Sequence, residues 1–225
     1  MIARVLAFLL LLPTGFTALA GEPFFCTQPG RTLYYERSDA AGGRLRRTTT
    51  IRITEVTDTP SGRRVGYEFT LRRPGGGVMY GGPAAMSVDI SPDGTTGMDL
   101  GATLKAVLRG YLPKAEPVST GTRALVPADM RPGDMLPDAG CVVKALGISY
   151  RIEVTERRVV RAERVTVPAG TFDCLVVHEH KVEDGPGHHR DTYSESWYAA
   201  GIGYVRHDTY DKKHRLETTE VLKNY

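Results

Sequence analysis

The side chains able to do chemistry crowd into the last quarter of the chain. All six histidines follow residue 177: His178, His180, His188, His189, His207 and His214. His178 and His180 are two apart, so on a strand they share one face. His188 and His189 lie just past a Gly-Pro-Gly turn. A paired-strand geometry can gather three imidazoles around zinc or copper. A histidine-rich, exposed hairpin end accounts for the same spacing. The expectation is no metal, with His178, His180, His188 and His189 the residues that would ligate one. Among them sit Glu179, Glu183, Asp184, Asp191 and Glu195, which have the chemistry of a glycosidase pair. Alternation instead puts Glu179 and Lys181 on one face, as on a solvated strand. There is no GxSxG, HExxH or phosphate-loop motif, and no serine sits in a nucleophile elbow. Cys174 near a histidine is formally a dyad, but Leu175 and Val176 beside it mark a buried, inert thiol. No catalytic activity and no cofactor are expected.

The first 20 residues read as an export signal. Arg4 supplies the positive start, residues 5–12 are apolar, and Ala18-Leu19-Ala20 precedes the expected cleavage. The apolar run is too short to span a bilayer, and no later run approaches ~20 apolar residues. Periplasmic or extracellular placement follows, and such compartments preserve disulfides. Three cysteines, Cys26, Cys141 and Cys174, allow three pairings. The expected bond is Cys26 to Cys141, with Cys174 a small mid-strand hydrophobe. The charge is nearly balanced, 29 basic against 26 acidic residues, and the signs are interspersed. That excludes the basic stripe of a nucleic-acid binder. Residues 21–225 are long enough for one domain with its own core.

The elements that must position these groups are strands. Residues 31–37 and 44–56 alternate, with Leu45, Thr49, Ile51 and Ile53 on one face. Val65, Tyr67, Phe69 and Leu71 continue the pattern after a Pro-Ser-Gly turn. Weak strands are expected at 78–80 and 86–90. Leu104, Val107, Leu108 and Tyr111 have helical spacing, which Gly110 weakens. Residues 113–140 are rich in Pro, Gly and Asp and read as a long, mostly irregular connection. Alternation returns with Ile148, Tyr150, Ile152 and Val154. Residues 159–167 and 171–182 form a hairpin around Val167-Pro168-Ala169-Gly170, a type I turn with a glycine bulge. Strands at 192–199, 204–210 and 216–222 close the chain, with Gly201 and Gly203 at a bulge or sharp bend. About ten one-faced strands need a shared interior. The fold class is therefore all-β: a single antiparallel barrel or half-barrel, lipocalin-like, with one or two short helices.

Several stretches carry a resemblance. They are Cys26 with residues 29–35 (PGRTLYY), residues 130–138 (MRPGDMLPD), 163–174 (ERVTVPAGTFDC) and 197–205 (WYAAGIGYV). Across residues 26–225 the chain resembles the TapB-like family of exported bacterial proteins of unknown function. The resemblance implies a curved, barrel-like antiparallel sheet in the cell envelope and supplies no catalytic residues. The expected function is a non-catalytic binding or carrier module for a hydrophobic small molecule or lipid. Its lumen would be lined by Tyr67, Phe69, Ile148, Tyr150, Ile152 and Trp197, with Leu33, Ile51 and Ile53. The alternative is an interaction protein that docks an envelope protein through its sheet face or the 113–140 segment. Core packing is the competing role for Trp197.

Overall fold

A computed structural model describes residues 21–41, 43–112 and 114–225. The expected export signal at 1–20 lies outside them. The chain folds as β1 (Thr32–Asp39), β2 (Leu45–Thr59), β3 (Gly62–Arg72), β4 (Ala84–Ile90) and β5 (Thr96–Met98). Helix α1 (Ala102–Tyr111) follows, then β6 (Val118–Gly121), β7 (Ala124–Val126) and β8 (Ala139–Ala145). The remainder is β9 (Ile148–Val167), β10 (Gly170–Gly185), β11 (His188–Ala199), β12 (Gly203–Asp211) and β13 (Leu216–Asn224).

All 13 strands form one sheet, in the order β6-β8-β9-β10-β11-β12-β13-β1-β2-β3-β4-β5-β7, and every pairing is antiparallel. First and last strands meet in its middle, β13 against β1. The two edges, β6 and β7, are consecutive in sequence with only Thr122 and Arg123 between them. The sheet therefore curls until its edges start from one point, yet β6 and β7 do not pair, and it stays a half-barrel. Alternating strand direction sends five turns to one end: β1–β2, β3–β4, β8–β9, β10–β11 and β12–β13. This end is the upper rim. The β2–β3, β4–β5, β9–β10 and β11–β12 turns form the lower rim.

The inner face is apolar toward the lower rim. Leu33, Tyr35, Ile53, Val65, Val205 and Leu222 are fully or nearly fully buried there. Phe24, Val126, Val159, Val177 and Tyr198 form a second cluster. The third lies under α1, where Leu108 meets Cys141, Val143, Ile152 and Val154. At the β9–β10 turn Gly170 takes φ +143, a backbone only glycine enters without cost. A Cβ on Gly110 would collide with the Tyr80 carbonyl. The residue that weakens the helix pattern is the one that lets α1 seat against the β3–β4 connection.

Two expectations are corrected and two are sharpened. Residues 113–140 are mostly irregular, as expected, but ordered in places. They hold β6 and β7, and residues 133–136 pair with β9 through Gly133 N–H to Val159 O at 2.7 Å and Leu136 N–H to Arg157 O at 2.8 Å. Strands of three or four residues are too short to show a period. Residues 78–80 form only an isolated bridge, Val78 with Arg72, and Tyr80 turns to φ +56. The sharp bend expected at Gly201 and Gly203 is the hairpin turn between β11 and β12, where both take positive φ. Finally, the Cys26–Cys141 disulfide is absent. All three cysteines are free thiols, with Cys26 buried in the main core and Cys141 beneath α1. Each is spent as a small hydrophobe in its own cluster.

Candidate functional site

Directly opposed residues of paired strands share a face. One such row runs across five central strands: Arg47 (β2), Arg37 (β1), Glu220 (β13), His207 (β12) and Ser196 (β11). It lies on the inner face, two residues above Tyr35 and Leu222 of the apolar core. Ser194, Thr209 and Thr218 form the next row toward the upper rim. Across these central strands the interior is thus layered, apolar below and polar above. Helix α1 covers the same face further round, over β8 and β9.

Glu220 is 3% exposed. Arg37 donates to its Oε2 at 3.0 Å, Thr49 Oγ1 donates to Oε1 at 2.9 Å, and the Arg47 guanidinium stands 3.8 Å from Oε2. Burial pushes the Glu220 carboxyl up, but the two guanidiniums outweigh it and the group stays ionised below its ordinary range. Two cations face one carboxylate, and the Nε of both Arg37 and Arg47 is buried without a partner among the described residues. Buried polar atoms are seldom left unpaired. The arrangement carries an excess positive charge on a partly dry surface.

His207 shares a hydrogen bond with Ser196 Oγ at 2.8 Å through Nδ1, and Thr209 Oγ1 lies 3.3 Å from Nε2. A serine, a histidine and a glutamate in one row invite a hydrolase reading. Two facts oppose it. The far nitrogen of His207 meets Thr209 rather than Glu220. Burial, then the Arg37 charge, push the His207 pKa down to about 3, so the imidazole is a feeble base at neutral pH.

Arg157 is the deepest charge, 0% exposed. It donates to Glu179 Oε1 at 2.8 Å, to the Pro137 carbonyl at 2.8 Å and to the Leu125 carbonyl of β7 at 3.0 Å. A left-handed Glu156, φ +53, breaks the β9 ladder just before it. The guanidinium thereby bridges β9 and β10 to edge strand β7, across the side where the sheet stays open.

The residues singled out by sequence fall in several places. His178 and His180 do share a face, both stacked on Tyr193, which also packs against His214 at 4.1 Å. His180 Nε2 lies 2.7 Å from Asp191 Oδ1, and burial, then Arg158, lower the pKa of His178. His188 and His189 stand apart, beside Glu183 and Asp184. No three His, Cys, Asp or Glu groups have metal-holding geometry among the described residues. Glu195 is engaged by Arg161 at 3.0 Å. Tyr67 and Phe69 flank the main core, Ile152 is buried under α1 with Tyr150 beside it, and Ile148 is exposed at the upper rim. These side chains divide between the main core and the cluster under α1, with Ile148 at the rim. A crevice beside α1, lined in part by Phe69, Leu71, Tyr80 and Val107, holds about 20 Å³, room for one water-sized group. Trp197 is buried, with its indole N–H donated to Glu163 at 3.1 Å and the Arg206 guanidinium 4.6 Å from its ring. Burial raises the Cys174 pKa to about 12, so that thiol is inert.

The polar row was missed because Thr192, Ser194, Ser196, His207, Thr209 and Glu220 look like a solvent face. The available signal was parity: Glu220 sits two residues from buried Leu222, and His207 two from buried Val205.

Two solved structures share this fold. One is described as an exported protein with a YmcC-like fold from Bacteroides fragilis. It is 26% identical, with a TM-score of 0.72, over 90% of this chain and 98% of that one. The other is described as a lipoprotein from Parabacteroides distasonis, 22% identical with a TM-score of 0.73, over 91% and 98%. No curated protein matches the sequence. The expected kinship with exported β-domains of unknown function holds at that level, while the finer TapB-like label is not what the family comparison returns. A family model matches residues 28–222, and the chain belongs to the DUF3108-like family.

Proposed function

We propose that this chain is an exported, non-catalytic binding module whose ligand site is the polar inner face beneath the upper rim. The observation that carries the reading is the pair Arg37 and Arg47 against the single carboxylate of Glu220, with both Nε atoms unpartnered among the described residues. Such a surface suits a small acidic compound, since guanidinium pairs bind carboxylate or phosphate in two-point fashion. Charged side chains are costly to bury, so a site that retains them is selected for something beyond stability. In the apolar half of the interior the side chains pack on one another in a single cluster. That leaves the polar half to receive the charged part of an envelope ligand. Export agrees with the descriptions of the two structural relatives.

The test is native mass spectrometry of protein isolated from the envelope fraction, beside the Arg47→Gln variant. An acidic adduct on the wild type that is lost in the variant supports the reading. A bare wild-type mass, with no thermal shift from phosphorylated or carboxylated sugars, overturns it.

A further inference from the structure

The upper rim differs from the rest of the surface in two ways. Six of the eight large apolar side chains exposed among the described residues lie on it: Val78, Tyr111, Val118, Leu146, Ile148 and Leu216. Tyr111 belongs there because its ring packs on Tyr80 of the β3–β4 connection at 5.6 Å. Val118 belongs because it pairs with Lys144 at the top of β8. The rim also carries cations with no carboxylate within ion-pair distance among the described residues: Arg72, Arg73, Lys144, Lys212 and Lys213, all exposed. Its acids are largely spoken for. Asp39 is held by Arg44 and Arg46, Asp211 by Arg215, Glu217 by Arg190 and Glu183 by Lys181. Glu116 stands there without a cation among the described residues, and Asp184 has only the His189 ring beside it, two acids against those five cations. The lower rim has the reverse bias, with Glu22, Glu55, Asp58 and Asp93 outnumbering Arg31 and Arg63.

Leu146 is the sharpest element of this rim. It is 68% exposed at the tip of the β8–β9 hairpin. It and Gly147 both take positive φ, +49 and +78, as the two central residues of a two-residue turn. Asn-Gly is the ordinary choice for such a turn, and a branched side chain disfavours the left-handed backbone. Folding gains nothing from a leucine there: it is strained and it is wet. A requirement outside the fold explains it.

We infer that the upper rim docks on an anionic lipid surface, with Leu146 and Ile148 entering the headgroup layer and the five cations meeting its charge. Apolar tips among free lysines and arginines match such an interface on both counts, burial and charge. Each cation near the surface strengthens binding roughly fivefold at moderate salt and less as salt rises.

Co-sedimentation with vesicles tests this, using mixed phosphatidylglycerol and phosphatidylcholine against phosphatidylcholine alone. The wild type should sediment with the mixed vesicles and be released by salt. Lys212→Glu with Lys213→Glu should lose roughly tenfold or more in affinity. Leu146→Asn suits the turn better, so it should melt no lower than the wild type yet bind about tenfold more weakly. Arg47→Gln should bind vesicles as the wild type does, which separates this surface from the inner site. The inference is overturned by failure to bind the mixed vesicles, by equal binding to neutral ones, or by full binding of Leu146→Asn. Retention on an acidic protein or on DNA in preference to the vesicles also overturns it.

Discussion

His207 shows how a single side chain reports its surroundings. It sits between Ser196 and Thr209, with Arg37 and Arg47 close enough to oppose protonation. Its folded pKa, about 3, is far below the ordinary histidine value near 6.5. A depressed histidine pKa means the unfolded chain takes up a proton that the folded one refuses. Stability is therefore full above about pH 6.5 and falls as pH drops toward 3. The slope for one proton is at most about 1.4 kcal/mol per pH unit. Glu220 adds a loss of the same direction only further into acid, where a carboxylate with a lowered pKa is finally protonated. Denaturant melts between pH 7 and 5, above the carboxylate range, should show a decline that His207→Gln flattens. Parallel curves for the two proteins would place the decline elsewhere, His178 being the next candidate.

At the scale of elements, α1 is a helix whose sequence compromises its own propensity. Gly110 costs about 1 kcal/mol relative to alanine in a helix interior. Yet Gly110 lies against the backbone of Tyr80 and Gly81, where an added Cβ has no room. Gly110→Ala should therefore destabilise the protein despite its better helix propensity. Hydrogen exchange should quicken in α1 and in residues 79–83, while β10 to β12 stay protected. A gain in melting temperature would show that the helix docks loosely. The β9–β10 hairpin makes the opposite case. Its Pro-Ala-Gly turn, alternating strands and positive-φ glycine agree with one another, so it was legible residue by residue. β6 and β7 were not. A run of three or four residues has no period to read: β6 forms against the longer β8, and β7 against a β5 no longer than itself.

For the whole molecule, the open side of the half-barrel is the point of greatest consequence. Edges β6 and β7 do not pair, and Arg157 reaches across to hold the Leu125 and Pro137 carbonyls. Removing one partner from a buried ionic network strands the rest, at about 3–5 kcal/mol. Arg157→Ala should lose that much in chemical denaturation. Arg157→Lys should recover little, because an ammonium cannot present the same planar fork to three acceptors. A full rescue by lysine would mean that charge alone, not geometry, closes the gap. The layering of the interior is a whole-molecule property too. It puts the row of Arg47, Arg37, Glu220 and His207 under the rim that carries the exposed leucine and free cations.

The sequence by itself determined the all-β class, the one-faced strands, the central hairpin and the short helix. These rest on period-two and period-3.6 patterns and on turn residues, which act within a few positions of the chain. It also showed the cysteines without fixing their state, since pairing depends on distance and the thiols went to separate clusters. Only the tertiary structure decided which polar residues face inward. Ser196, His207 and Glu220 look the same in sequence whether their strand face meets water or the core, and strand order alone puts them in one row with Arg37 and Arg47. The meeting of edges β6 and β7, and the gathering of five turns into one basic, apolar rim, are likewise consequences of how 13 strands curl. No local pattern contains them, because they depend on pairings between segments far apart in the chain.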